Sequence, residues 1–314
     1  MPDLDQKTMI SLNESMRARF GRKVYKIALD GGFTCPVRDG TLDTRGCIFC
    51  SAGGSGEFAE NRGLSITEQI EQGKLRVAKK IRDGKYIAYF QAYTGTYAPI
   101  HRLRQLYLEA IRHPDIVALS VATRPDCLPE EVLDLLEELN REKPVWVELG
   151  LQSIHEKTAE YIRRGYPLSV YDHAAAELKK RKIEVITHLI LGLPGETAED
   201  MCESVRYVCG GRTDGIKLQL LHILKGTDLA REYQAGRVRT LTEDEYIGIL
   251  KKCVPLIPDS VVVHRLTGDG DKRLLIAPLW SADKKHVLIR IRREVLNRFE
   301  PSELAPEQKQ SGSS

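Results

Sequence analysis

Three of the chain's seven cysteines crowd into one short segment, GGFTCPVRDGTLDTRGCIFC, as Cys35, Cys47 and Cys50 with the spacing C-x11-C-x2-C. A C-x2-C pair offers thiolates to neighbouring metal positions, and a third thiolate on a glycine-containing loop completes a three-point hold. Three protein ligands on a 4Fe-4S cube leave one iron open, and an open iron chelates the amino and carboxylate groups of a small molecule. Structural zinc is the competing reading, but it wants four Cys or His ligands in a closed tetrahedron. No fourth candidate lies at useful spacing, although His101, His188 or His222 could arrive in space. Unrelated buried thiols are the third reading. Phe49, inside the pair, would shield a cluster from water, and plain packing explains it equally well. Cys127, Cys202, Cys209 and Cys253 are scattered and read as small buried hydrophobes.

The elements that must hold this segment follow from hydrophobic pattern. Short apolar, β-branched runs at 24–29, 86–92, 116–122, 145–151, 185–191, 215–221 and 260–266 alternate with amphipathic stretches, the signature of βα units around a parallel sheet buried on both faces. Helices are expected at 67–82, 99–112, 129–141, 155–163, 169–181, 197–209, 227–235 and 242–254, with Thr67 as a cap and Pro99 and Pro129 in first turns. Strand-then-helix counting gives six units and a seventh strand beyond them, wound into a curved sheet by right-handed crossovers. The expected organisation is a helical lead-in at 1–23, a partial barrel at 24–256, a C-terminal strand, cap and helix at 257–300, and a disordered tail at 301–314. Ligands of such sheets bind at the carboxyl ends of strands, where Gln91, Glu148, Gln152, His188 and His222 fall. A buried Glu148 needs donors: ribose hydroxyls supply them on one reading, a neighbouring Arg or Lys on the other. His188 is equally a core histidine.

Bulk properties set limits. Hydrophobic residues at 42% and charged residues at 29% exclude disorder as the main state. A formal charge of +3 does not announce a nucleic-acid binder, and the basic runs KKRK at 179–182 and IRIRREVLNR at 289–298 read as solvated faces. No stretch approaches the roughly 20 apolar residues that span a bilayer, and the first residues lack an apolar signal core. A cytoplasmic location follows as an expectation, and with it a disulfide framework becomes improbable.

At the cysteine segment the sequence resembles the radical S-adenosylmethionine (SAM) superfamily, and within it the YhcC/YtqA-like subfamily, related to the catalytic subunit of Elongator. The resemblance runs from about Tyr25 to Trp280 through GGFTCPVRDG, CIFC, AYFQAYTGTYAP, ATRPDCLP, VWVELGLQS, RRGY, HLILGLPGE, DGIKLQLLHILKGT and APLW. It implies an α/β fold, a partial (β/α)6 barrel with a C-terminal cap, and a 4Fe-4S cluster on Cys35, Cys47 and Cys50. It further implies SAM contacts from the turn AYTGT with Gln91, Tyr93 and Thr94, from Glu148 and Gln152, from His188, from Arg164 (or Arg163) at the SAM carboxylate, and from Leu193 and Gly195 of GLPGE against adenine. HRLTGDG, with His264, Arg265, Thr267 and Asp269, is the candidate substrate lid, together with His222; an ordinary surface loop is the alternative.

The implied activity is reductive cleavage of SAM to a 5'-deoxyadenosyl radical that abstracts hydrogen from a small substrate. Elongator relatives act on tRNA bases, so a modified nucleobase is expected, for example carbon–nitrogen lysis of a 7-deazaguanine such as queuine. Near-neutral charge and the lack of an RNA-binding module such as a TRAM domain favour a free base over intact tRNA. A flavodoxin or ferredoxin would supply the electron. The reading from another class is an Fe-S binding or redox-sensing protein that cleaves no SAM.

Overall fold

The structure, a computed structural model, describes residues 9–54, 56–78, 84–268 and 270–296. The apolar runs form β1 (Val24–Leu29), β2 (Lys85–Phe90), β3 (Ile116–Thr123), β4 (Val145–Gln152), β5 (Glu184–Leu191), β6 (Gly215–Leu220) and β8 (Val262–Arg265). These seven strands pair in parallel in the order β1-β2-β3-β4-β5-β6-β8. Parallel strands need crossovers, and helices fill them: α2 (Ile66–Val77), α3 (Ile100–Arg112), α4 (Glu130–Glu142), α5 (Glu156–Tyr161), α6 (Leu168–Lys180), α7 (Ala198–Cys209), and after the sixth strand α8 (Asp228–Gln234) and α9 (Glu243–Cys253). The architecture is the curled, open α/β barrel that the pattern predicts.

Local chemistry fixes where helices begin. The side chain of Ser65 accepts from the Glu68 N–H while Glu68 reaches back to Ser65, and Thr197/Asp200 and Thr242/Glu245 repeat the device before α7 and α9. Each such cap contributes about 1 kcal/mol. Thr67 therefore lies inside the first turn of α2 and does not cap it. Pro99 and Pro129 sit one residue before α3 and α4. The far end of the expected 67–82 helix lies outside the described residues, as do the tail from residue 297 and Asp269.

Period-two alternation sorts the strand side chains. Outward positions such as Leu29, Phe90, Val121, Val147, Leu189 and Leu218 join the main core with the helices. Inward positions stack in layers. The lowest is an apolar plug of Val24, Ile87, Ala118, Trp146 and Ile186, closed from below by Met16 of α1 (Leu12–Phe20). Two residues further along the same strands come Lys26, Tyr89, Ser120, Glu148 and His188, with Lys217 beside them on β6. The near-continuous apolar appearance of these strands conceals a polar lumen.

β1 and β8 are the two edges of the sheet, so the barrel stays open along one seam. The residues leading into α1 run beside β8, with Ser11 bridging Val263 and the Val263 N–H donating to the Ile10 carbonyl at 2.9 Å. A short antiparallel pair, β7 (Ile223–Leu224) with β9 (Leu275–Ala277), was not expected. Together with α10 (Lys284–Glu294) it builds the cap, where the sequence suggested only loop and helix.

Candidate active site

The loop between β1 and α2 carries all three cysteines, and hydrogen bonds hold its shape. The N–H groups of Arg38 and Asp39 donate to the Cys35 carbonyl at 2.8 and 3.1 Å, and the Cys50 N–H donates to the Cys47 carbonyl at 3.0 Å. Ile48 straps the loop to the body: its N–H donates to the Ile162 carbonyl, and its carbonyl accepts from the Leu229 N–H. Its side chain packs with Ile162, Ile190, Leu193 and Ile223, against which Phe49 rests. Arg38 reaches under the loop to donate to the carbonyls of Cys50 and Ser51 at 2.8 and 2.6 Å. Burial, reinforced by the nearby Cys50 charge, pushes the Cys47 thiol up to about 12, and burial raises Cys50 against the opposing pull of Arg38. Metal ligation reverses that balance, because a bound metal holds thiols deprotonated.

One cavity of about 240 Å³ is lined by Cys35, Cys47 and Cys50 and runs inward to Glu148, His188 and Lys217. Among the described residues, the clusters of three ligands whose donor atoms all lie within 4.8 Å do not include these thiols. A single zinc, about 2.3 Å from each sulfur, would draw the sulfurs to about 3.8 Å. The three sulfurs are not drawn together as one zinc would draw them. Cys35, Cys47 and Cys50 would hold a 4Fe-4S cluster at the wall of the cavity.

The turn expected to meet SAM interlocks with this loop. The Tyr93 N–H donates to the Gly54 carbonyl, its hydroxyl to the Ala52 carbonyl, and the Thr94 N–H to the Thr34 carbonyl. Gly95 lies so near β3 that a Cβ would stand 2.7 Å from the Ala122 carbonyl oxygen. Tyr93 and Gln152 hold φ of +57° and +72°, costly for non-glycine residues and concentrated at ligand sites. Gln152 also presents a buried side-chain oxygen with no hydrogen-bond partner. That orphan acceptor, at the end of β4 in the thiol-lined cavity, is the kind of group that an amino group or a ribose hydroxyl satisfies.

The remaining expected residues separate into groups. Gln91, Tyr93, Thr94, Glu148, Gln152, Arg164, His188, His222 and Arg265 line the same cavity as the thiols. His264 lines a neighbouring cavity at the seam. Leu193 and Gly195 do not line either: Leu193 is buried in the apolar cluster around Ile48, and Gly195 takes φ +88° in the turn after β5. GLPGE therefore supports the site from behind. Arg164 is fully buried, with its guanidinium spent on the Tyr166 and Ser153 carbonyls and on Glu156. It pins the RRGY turn, while Arg163 pairs with Asp228. His222 is held against the loop after β8: a Cβ on Gly268 or Gly270 would collide with its ring at 2.5 Å.

Glu148 settles its own two readings. Its carboxylate, fully buried, accepts from Lys26 on one oxygen and from Lys217 on the other, from the Ser120 hydroxyl at 2.8 Å, and from the His188 ring at 2.8 Å. The donors come from the chain. Burial alone would raise this carboxyl, but Lys217 and Lys26 hold it well below the usual carboxylate range. Burial lowers Lys217 to about 7 and His188 to about 4.

Arg124, Lys26, Lys217 and Tyr89 escaped the sequence reading. Arg124, after β3, pairs with Asp126 at 2.9 and 2.7 Å, stacks 5.1 Å from the Tyr166 ring and feels the charges of Cys35 and Cys47. The signal for the lysines was present: in VYKIAL, VELGL and GIKLQLL, a charged residue occupies one inward position of an otherwise apolar strand.

A profile of the Radical SAM superfamily matches residues 44–208, and one of the Radical_SAM C-terminal domain matches 213–297. The chain belongs to the radical SAM superfamily. Bacillus subtilis YtqA is 46% identical over 93% of this chain and 91% of its own. Escherichia coli YhcC is 38% identical over 89% of both, so this radical SAM protein is YhcC/YtqA-like. The archaeal Elp3 of Methanocaldococcus infernus, with an N-terminal deletion, shares the fold at a TM-score of 0.66, with 18% identity over 87% of this chain and 63% of its own. The radical SAM cofactors, a 4Fe-4S cluster and SAM, accordingly meet a chain with three thiols and an orphan acceptor ready for them. No helix among the described residues is long and apolar enough to cross a membrane.

Proposed function

We propose that this radical SAM enzyme acts in the cytoplasm on a modified nucleobase, taken free and not within tRNA. Cys35, Cys47 and Cys50 would hold the 4Fe-4S cluster, which would supply the reductive cleavage of SAM to methionine and a 5'-deoxyadenosyl radical, with one electron from a flavodoxin or ferredoxin and hydrogen taken from the substrate. The observation that carries this reading is the continuity of one cavity from the thiols to the polar layer. SAM takes the mouth, with Gln152, Tyr93 and Thr94 around it, and the substrate sits beneath. Side chains there exclude water on the plug side and fix orientation. The free-base form is supported by the surface: among the described residues of the two basic runs Lys179, Arg181 and Arg290 pair with Asp214, Glu130 and Glu243, which offsets part of the charge that phosphates would meet there.

The test is anaerobic turnover of reconstituted protein with dithionite and SAM against a panel of 7-deazaguanines, queuine included, and against the same bases in tRNA. Formation of 5'-deoxyadenosine coupled to loss of a free base is the expected result, with carbon–nitrogen lysis as the outcome for queuine. Turnover of tRNA alone replaces the free-base reading. Absence of 5'-deoxyadenosine in every arm, with the cluster intact, makes the protein a redox sensor and sinks the enzymatic reading.

A further inference from the structure

Directly below the thiols the lumen gathers basic side chains around a single bonded carboxylate. Lys26 of β1 and Lys217 of β6 share one carboxylate, Glu148 of β4. His188 of β5 and His264 of β8 add none, because burial holds both rings neutral near pH 7. Arg265 of β8 adds its field to both lysines. Of the other acids lining these walls among the described residues, Glu60 pairs with Arg76, and Glu57 accepts from Ser51 and acts on Cys50 at the thiol end. A charge removed from water is costly, and Lys217 is almost wholly buried, with 6% of its side chain exposed. A second cavity, of about 280 Å³, opens from this layer toward the seam and shares Tyr89, Gln91, Lys217 and Arg265 with the first. There is room beside the lysines.

We propose that this layer is an anion-binding subsite in which Lys217 and Lys26, with the Tyr89 hydroxyl beside Lys217, take a carboxylate carried by the substrate. The inference rests on the reading that the substrate lies beneath SAM, and it adds the chemical class of a substituent. Phosphate is the less suitable anion. Phosphate sites use backbone N–H groups and helix N-termini, whereas the strand amides at this level are spent in the ladder, with Lys217 in register between His188 and Arg265. Two ammonium groups and one hydroxyl match two oxygens better than three. The Lys217 Nζ already lies 3.2 Å from the Tyr89 oxygen and 4.9 Å from its ring centre, so the donor is held at the cavity wall. A bound carboxylate would return Lys217 to its charged form. An amine in the same place would be repelled, which ranks an acidic base above an amine-bearing one such as queuine.

Two measurements on the reconstituted holoenzyme separate this proposal from the function it rests on. The first needs no knowledge of the base: benzoate, benzamide and inorganic phosphate are compared as stabilisers in thermal melts of wild type, Lys217→Met and Lys217→Arg. Benzoate should stabilise wild type, lose its effect in Lys217→Met and regain part of it in Lys217→Arg, with benzamide inert throughout. Equal benzoate effects in wild type and Lys217→Met, or none in wild type, overturn the subsite. A larger phosphate effect that depends on Lys217 overturns the choice of carboxylate. The second is calorimetric titration, with SAM present, of 7-deazaguanines bearing a 7-carboxylate, 7-carboxamide or 7-aminomethyl group. The carboxylate should bind roughly tenfold or more tightly than the amide, the aminomethyl compound weakest, and the preference should vanish in Lys217→Met. Failure of all three to bind while benzoate behaves as expected removes the nucleobase and leaves the subsite. Should the amide or the amine bind best, the subsite assignment is overturned.

Discussion

The rim of the lumen and its middle layer solve opposite problems. The rim is built from loops, with backbone held in unusual conformations at Tyr93 and Gln152 and an acceptor left without a partner. The middle layer is built from strands, with backbone held in the sheet ladder and side-chain charges pressed against one another around Glu148. The rim spends conformational energy to present groups to a cofactor, and the middle layer spends desolvation energy to keep charge in a dry place. A site can therefore be prepared either by shape or by charge, and this molecule does both a few ångströms apart.

The strongest way to break the contrast is to remove a ligand from the rim. Cys47→Ala should abolish bound iron and 5'-deoxyadenosine formation together while leaving the fold, and hence the far-ultraviolet circular dichroism, unchanged. In the middle layer the order reverses. Glu148→Leu strands two buried lysines and should cost about 3–5 kcal/mol in denaturant melts. Lys217→Met, which leaves the Lys26–Glu148 pair, should cost less than about 1.5 kcal/mol. A larger loss in Lys217→Met than in Glu148→Leu would show that the carboxylate is not the centre of this layer.

Next in size is an acid dependence. His188 titrates near 4 in the fold against an ordinary 6.5, so between those values the unfolded chain binds more protons. Stability should fall as pH drops through that window and be restored as pH rises, by up to about 3 kcal/mol from this group. In His188→Gln that part of the slope should flatten, and an unchanged slope would assign it elsewhere. Smallest is Gln152→Gly, which relieves the positive φ and should raise stability by up to about 1 kcal/mol while weakening SAM binding. Unchanged SAM affinity would remove Gln152 from the cofactor site.

The same contrast explains what was legible beforehand. Rim residues are near neighbours in the chain: Cys35, Cys47 and Cys50 in one loop, which spacing exposes, and Gln91 to Thr94 in one turn, whose cofactor role the resemblance implies. Strands were legible because burial on both faces leaves long apolar runs. Lys26, Glu148 and Lys217 lie on strands far apart in sequence, and only the sheet register brings them together. Glu148 was noticed singly, its partners were not, and so its donors stayed open. GLPGE is a separate case. Its residues are adjacent to the site in sequence, yet Leu193 turns its side chain into the packing behind Ile48. The β7–β9 pair was missed because strands of two and three residues carry no periodicity.

The edges β1 and β8, which do not pair with each other, give the lumen a side slit, blocked low down by α1 but lined higher up by Phe58, Lys26 and Arg265. A molecule lodged on the lysines need not queue behind whatever fills the mouth. Kinetically, such a layout permits either partner to bind first.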